Sequence, residues 1–414
     1  MRGVGDPLTI GERIAFYRRR RGLSQTVLAG LVGRSEDWLS KIERGDREIR
    51  RVDVLVDLAK ALRVMLGDLL GEPVFLEDGA QNDDVPAVRD ALMTPRRLSA
   101  KLFASTRSDT TEPLDPQTVA RWAESAFFEY QNGGLGRVIA VLPRLINTAQ
   151  QLDSARSELC QQRAGAAVSA RIHHLATTAL SKLGEVDLAW IAAERAMQAA
   201  DRADDPLVLA SAARAGTHAL LAVGRFGDAV ELGETAARWL RPQMHTNDPA
   251  ALSLLGMLYL RTAVAAARRQ DRSAAEELLR KAQRAGDAVG TDANHWQTGF
   301  GPTNVALHRV SAALDLGDMA AAVTQARRIS ATHLPVERQV THLIDLSRAL
   351  SATASEDEAL QVLLTAEQKS AQMVRNSVLV RGVVRTLYRR STSAGRRSSS
   401  LIALALRCHA IGGN

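Results

Sequence analysis

The 414-residue chain predicts an all-α protein in two parts, a small N-terminal group of short helices and a long body of stacked helix pairs. Three observations predict it. Hydrophobic residues make up 46% of the chain and aromatic residues only 4%, so small aliphatic side chains at helical spacing must carry the packing. Ser24, Gly33 and Ser35 punctuate short helical runs near the N-terminus. Asp115-Pro116, Asp205-Pro206 and Asp248-Pro249 each read as a capping carboxylate followed by proline at the first helical position, and each opens a long helix.

The N-terminal punctuation is the more specific signal. Ser24 caps one short helix, Gly33 permits a tight turn and Ser35 caps the next. Leu28, Leu31, Val32, Leu39 and Ile42 fall at helical spacing, so the two helices share a core. Gln25 on the first helix, with Glu36, Asp37, Ser40 and Lys41 on the second, is left to meet something outside. A DNA major groove accepts one such helix.

Residues 9–71 resemble the lambda-repressor and Cro-like family, also called XRE. The resemblance rests on Ile14-x-x-Tyr17-Arg18, Gly22-Leu-Ser-Gln25, Leu28-Ala29, Ile42-Glu43-Arg-Gly45 and Leu58-Ala59-x-x-Leu62. It implies a five-helix DNA-binding domain in which Gln25 and Ser35 contact phosphates, Glu36, Asp37, Ser40 and Lys41 face base edges, and Arg44 lies near the backbone. It also implies a buried ion pair between Arg18 and Glu43 that locks the first helix against the third. Where the family often has Gln, Asn or Ser, this chain has the adjacent acids Glu36 and Asp37, then a bulky Trp38. A carboxylate accepts a hydrogen bond from cytosine N4 but is repelled by phosphates. The alternative is that one acid only supports the helix N-terminus. Trp38 is expected against the preceding helix or the sugar backbone. The run Arg18-Arg19-Arg20-Arg21 complements a helix C-terminus and reaches phosphates, or is a solvated end. Residues 1–73 carry 14 basic against 11 acidic side chains, so the motif, not bulk charge, identifies the domain.

The long body is repetitive. Aligning turns at Gly184, Gly224, Gln270, Gly317 and Ala354 places Ala189, Ala229, Ala275, Ala322 and Ala359 five residues on. Twelve residues on stand Ala196, Ala236, Ala282, Ile329 and Ala366, and a weaker unit turns at Gly134 with Ile139 and Ile146 in the same places. A small residue at a fixed point after a turn lets a helix pack closely on its hairpin partner, as stacked helix pairs require. The segment resembles a degenerate tetratricopeptide-like array, although intervals of 50, 40, 46, 47 and 37 residues exceed the regular ~34; armadillo or HEAT-type pairs stay open. The domain boundaries expected are 1–73 for the helix-turn-helix domain, 74–115 for a turn-rich linker with a short helix through Pro86–Met93, and 116–414 for the repeat domain.

An XRE-type head on such a body resembles bacterial regulators whose repeats sense a peptide, small molecule or partner protein and dimerise. The wording from His295 to His308 resembles the same group in GC-rich bacteria, consistent with arginine preferred over lysine. A homodimer on an inverted-repeat double-stranded DNA site is expected; a repeat scaffold tethered to DNA by its head is the alternative. In such arrays the first helix of each pair faces the concave side, which nominates Arg214 with His218, Tyr259, Asn304 with His308, and His342 as effector contacts. The stretch from Gly290 to Asn304, with Trp296 and Phe300, is a longer loop that either covers a pocket or is packed into the core.

No catalytic or metal constellation is expected, and no cofactor. His173 and His174 are adjacent and point about 100° apart on a helix, not as a zinc pair. Cys160 and Cys408 stand alone, as in a reducing cytoplasm. No apolar run is read as approaching a membrane span, so the chain is expected to be cytoplasmic. The arginine series Arg375, Arg381, Arg385, Arg389, Arg390, Arg396 and Arg397 is either a second acidic-partner surface or a solvated helix.

Overall fold

A computed structural model of the chain describes residues 9–49, 51–62, 64, 69, 84–94, 114–155, 158–245, 248–393 and 398–411. They are helical, with one isolated bridge between Ala293 and Phe300. Contacts gather the chain into two compact units, Met1–Arg89 with Val378–Asn414, and Asp90–Ser377. Residues 378–414, expected with the repeats, thus group with the N-terminal part.

In the first unit, α1 (Ile10–Arg20), α2 (Gln25–Leu31), α3 (Glu36–Glu43) and α4 (Val52–Leu62) follow one another through short turns. Thr9 and Glu12 form a capping box on α1. The Ser24 hydroxyl accepts from the Val27 amide at 3.1 Å and that of Ser35 from Trp38 at 3.2 Å, satisfying amides that a helix start leaves open. Gly33 takes φ +65° between them, a left-handed turn that favours glycine. Ile14, Leu28, Leu39, Ile42 and Leu58 form the core. Leu31 was expected in it and is instead 61% exposed. Leu28, Ala29 and Val32 point inward, and at about 100° per residue Leu31 lies roughly 110° round from their mean direction. The fifth helix implied for this domain falls on residues of which only Val64 and Leu69 are described.

The linker residues 74–83 and 95–113 lie outside the described ones. Between them runs α5 (Asp84–Leu92), close to the expected short helix. The Arg89 guanidinium donates to the Arg20 carbonyl at 3.0 Å. The arginine run is therefore used as bracing: Arg18 pairs with Glu43, and Arg21 donates to the Ala61 carbonyl at 2.9 Å.

The second unit is a stack of helix hairpins: α6 (Pro116–Gln131) with α7 (Leu135–Ser154), α8 (Leu159–Leu183) with α9 (Val186–Ala203), and α10 (Pro206–Val223) with α11 (Phe226–Leu240). Then come α12 (Pro249–Arg268) with α13 (Arg272–Val289), α14 (Pro302–Asp315) with α15 (Met319–Ala326), α16 (Val336–Ala352) with α17 (Glu356–Lys369), and the short α18 (Ala371–Arg375). Asp115, Asp205 and Asp248 cap α6, α10 and α12. Each aligned turn residue, Gly184, Gly224, Gln270, Gly317 and Ala354, has positive φ; in the weaker unit the left-handed residue is Gly133, one before the expected Gly134. Ala189, Ala229, Ala275, Ala322 and Ala359 are all fully buried, so the fixed small residue does sit where the hairpin helices touch.

The stack coils until its last members meet its first. The Ser370 hydroxyl donates to the Gly133 carbonyl at 2.8 Å, and the Gln372 amide oxygen accepts from the Gly136 N–H at 2.5 Å. Gln131 and Asn294 exchange reciprocal amide bonds of 3.0 and 2.9 Å. The expectation that no segment approaches a membrane span is corrected: α10 and α12 are long and apolar enough by length and hydropathy. Most of each is buried in the stack, where an apolar helix is core.

After the repeats, α19 (Val378–Ser393) and α20 (Ser399–Arg407) close the chain. Arg381 Nε donates to the Cys408 carbonyl at 3.2 Å and Arg385 Nε to the Ala410 carbonyl at 3.0 Å. Arg381 thereby satisfies the carbonyl of the helix C-cap, Cys408, and Arg385 one in the turn that follows it. Arg375 pairs with Glu367 at 2.7 Å, and Arg396 and Arg397 lie outside the described residues.

Candidate functional site

Two places bring polar residues together. In the first unit, α3 presents Glu36, Asp37 and Lys41 to solvent, with Ser40 half-buried beside them. These groups are satisfied by one another and by their neighbours. Thr26 Oγ1 donates to Glu36 at 2.7 Å, Lys41 Nζ to Asp37 at 2.7 Å, Arg44 to Ser40 Oγ at 2.9 Å and Arg44 Nε to Asp46 at 2.9 Å. Lys41 and Asp37 are 46% and 70% exposed, and such a pair contributes only about 0.3–0.5 kcal/mol. Handing Lys41 to a base or phosphate therefore costs little.

Behind that face Glu43 is the hub. Arg18 reaches it with Nε at 2.6 Å and a terminal nitrogen at 2.7 Å, and the Gln25 amide donates to it at 2.7 Å. Gln25 and Ser35, implied as phosphate contacts, are thus engaged within the domain, Gln25 with Glu43 and Ser35 as the α3 cap. Trp38 is half-buried against the domain core with the Arg34 guanidinium 5.6 Å from its ring centre. It borders an open groove beside α3 whose rim mixes Arg34, Arg47 and Arg51 with Asp46 and Glu48, a feature that the motif alone does not single out.

In the second unit the first helices of the hairpins converge. Tyr130 from α6, His174 from α8, Arg214 and His218 from α10, Arg261 from α12, and Glu337 from α16 line one small cavity. Its space is about 30 Å³, room for two or three waters at roughly 10–15 Å³ each. Glu337 is held by Lys182 at 2.9 Å and Arg338 at 2.6 Å; these cations keep its carboxyl well below the usual range although burial opposes them. An Arg214 terminal nitrogen donates to His174 Nε2 at 3.1 Å, which assigns the imidazole proton to Nδ1, facing the Ser211 hydroxyl at 2.9 Å. Burial, then the neighbouring arginines, lowers Arg214 to about 9 and Arg261 to about 10. The same causes hold His174 and His218 well below the usual imidazole value.

The other expected effector contacts do not line this cavity. Tyr259 is buried in the apolar core of α12 and α13. Asn304 is fully buried and donates to the Gly299 and Thr298 carbonyls at 2.9 and 3.3 Å, its Oδ1 without a partner. His308 Nδ1 bonds the Asn304 carbonyl at 2.9 Å, and burial with Arg261 and Arg338 lowers it to about 3. His342 is buried outside the cavity lining. Trp296 packs between two core clusters under Arg171, 5.5 Å from the ring centre. The loop from Gly290 to Asn304 is pinned: Phe300 is fully buried, and a Cβ on Gly256 of α12 would come within 1.9 Å of its ring. Only Gln297 of this loop borders the cavity.

The sequence reading missed Tyr130, Arg261, Glu337, Lys182 and Arg338, and weighed His174 only as a zinc ligand. A signal was present. Counted back from the aligned turns, His174 and Arg214 both stand ten residues before, and Arg261 and His308 nine before. Among the described residues no group of three or more His, Cys, Asp or Glu could hold a metal ion.

Residues 9–72 match a protein family described as a helix-turn-helix domain. The N-terminal part of this chain is therefore a helix-turn-helix domain, joined to a body of stacked helical repeats. No curated protein matches the chain. Among solved structures it is similar to Bacillus thuringiensis PlcR in complex with the peptide PapR7 and DNA, at 16% identity over 68% of this chain and 95% of that one, TM-score 0.34. It is also similar to the Streptococcus dysgalactiae SHP pheromone receptor Rgg2, at 11% identity over 87% of this chain and 98% of that one, TM-score 0.21. Likeness at this level carries no statement about ligands.

Proposed function

We propose that the chain is a sequence-specific, double-stranded-DNA-binding transcription regulator whose repeat body receives the controlling signal. One observation carries the reading: in a helix-turn-helix domain, α3 turns its exposed polar face outward while Glu43 fixes α1, α2 and α3 together behind it. A rigid helix with a free polar face suits the major groove. Glu36, Asp37, Ser40 and Lys41 are the base-facing set, with Arg44, Gln25 and Ser35 toward the phosphates. The acids favour cytosine through N4 and lower non-specific affinity. Two copies on an inverted repeat would set recognition helices about 34 Å apart.

Arg214 and His218 are the signal contacts proposed in the body, because they reach the cavity. Selection of bound fragments from random DNA by the full chain, beside a Glu36→Ala, Lys41→Ala variant, tests the reading. Enrichment of a two-fold-related motif that the variant loses is expected; enrichment of the same motif by both, or of none by either, would overturn it.

A further inference from the structure

The cavity inside the repeat stack holds more positive charge than its surroundings balance. Lys182, Arg214, Arg261 and Arg338 gather around a single carboxylate, Glu337. That carboxylate is spent on Lys182 and Arg338. Arg214 is buried, finds only a neutral imidazole with one terminal nitrogen, and leaves Nε with no partner. Arg261 makes no hydrogen bond or ion pair with any described residue. The Tyr130 hydroxyl, on the same cavity wall, is buried and unpartnered. Two guanidinium groups and a phenol thus converge on one small cavity whose single carboxylate, Glu337, is hydrogen-bonded elsewhere.

Burying a cation without a counter-ion is among the costliest things a fold can do. Several other buried or half-buried arginines of the unit are answered, Arg171 by Glu124 and Gln297, Arg268 by Asp315, and Arg348 by Asp315 and Asp345, whereas Arg195 leaves one buried terminal nitrogen without a partner. What sets Arg214 and Arg261 apart is that two such cations share one cavity, where burial and then the neighbouring arginines lower both.

We infer that this cavity is a binding site for a compact dianion, a phosphate or the phosphate group of an ester, held by Arg214 and Arg261 with the Tyr130 hydroxyl as a further donor. A dianion neutralises both guanidinium groups, where a monocarboxylate would leave one unanswered. Guanidinium forks suit phosphate oxygens. The space of about 30 Å³ admits one small group and not a peptide segment. That this group acts as the signal rests on the regulatory reading above; that the site binds it does not.

Calorimetric titration of the full chain with inorganic phosphate, and separately with O-phosphoserine, tests the site, with sodium acetate and sodium chloride at matched ionic strength as references. One saturable site for at least one phosphate arm is expected, with acetate at least tenfold weaker. Binding of inorganic phosphate alone would identify free phosphate as the ligand, and binding of O-phosphoserine would identify a phosphate ester. Arg261→Met should weaken binding at least tenfold, while its ligand-free thermal midpoint stays at or above that of the parent because a half-buried charge without an ion-pair partner is gone. Tyr130→Phe, which removes one oxygen, should weaken binding several-fold and decides the matter if Arg261→Met does not fold. No saturable binding in either phosphate arm, or affinity unchanged in the folded variants, would overturn the inference. DNA binding measured in phosphate-free buffer reports on the regulatory reading independently.

Discussion

Glu43 shows how one carboxylate can set a recognition surface. It accepts from Arg18 on α1 and Gln25 on α2 while standing on α3, with side-chain exposures of 13% for Arg18 and 6% for Glu43. Breaking a pair this enclosed costs about 3–5 kcal/mol, because the partner charge stays buried. Glu43→Ala should lower stability of the domain by about that amount in denaturant melts, whereas Lys41→Ala, which breaks only an exposed pair, should change it by less than about 0.5 kcal/mol. The two substitutions separate architecture from readout: the first should impair folding, the second only DNA affinity. The Arg18–Glu43 pairing was legible through the family resemblance. The internal use of Gln25 was not, because a glutamine at a helix start looks the same in sequence whether it meets phosphate or a neighbouring acid.

At the scale of elements, the repeat hairpins were legible because a packing constraint repeats. A helix pair in close contact tolerates only a small side chain at the crossing, and the fully buried Ala229 of α11 is one of five such positions. Ala229→Leu should destabilise the body by about 1–3 kcal/mol through overpacking, read as a lowered thermal midpoint. The loop from Gly290 to Asn304 was legible as an irregularity but not as to its purpose. Its Phe300 is fully buried beside Gly256, a contact between distant elements that no local pattern announces. Phe300→Ala should cost about 3–5 kcal/mol, and protease cleavage within 290–304 should accelerate; an unchanged midpoint would contradict the anchoring role. The inner cations escaped notice for a related reason. Arg261 on α12 and Glu337 on α16 read like ordinary surface charges until the stack curls and brings the first helices of its hairpins to one cavity.

For the whole molecule, histidines that are buried, or half-buried in the case of His218, make stability depend on pH. His174, His218, His308 and His342 all lie below the usual imidazole value, His308 at about 3, against about 6.5 in an unfolded chain. Below pH 6.5 the unfolded state binds protons that the folded state refuses, so stability is full above that pH and falls as pH drops toward the folded values. Glu337, held low, loses its share only below its unfolded value of about 4.3. Denaturation between pH 7.5 and 5.5 should therefore show decreasing stability, by up to about 1.4 kcal/mol per pH unit for each such histidine, and His308→Gln should flatten the slope. Stability constant or rising toward pH 5.5 would contradict these burials.

In the function proposed, α3 reads DNA sequence. The most direct measurement of this is the affinity of the full chain for its selected duplex and for a shuffled duplex of the same composition, titrated at several salt concentrations. A regulator should prefer the selected duplex by at least about 10³-fold near physiological salt, and the preference should collapse in the Glu36→Ala, Lys41→Ala variant while the salt dependence persists. Equal affinity for both duplexes, following salt alone, would reduce the head to a non-specific tether and contradict the account.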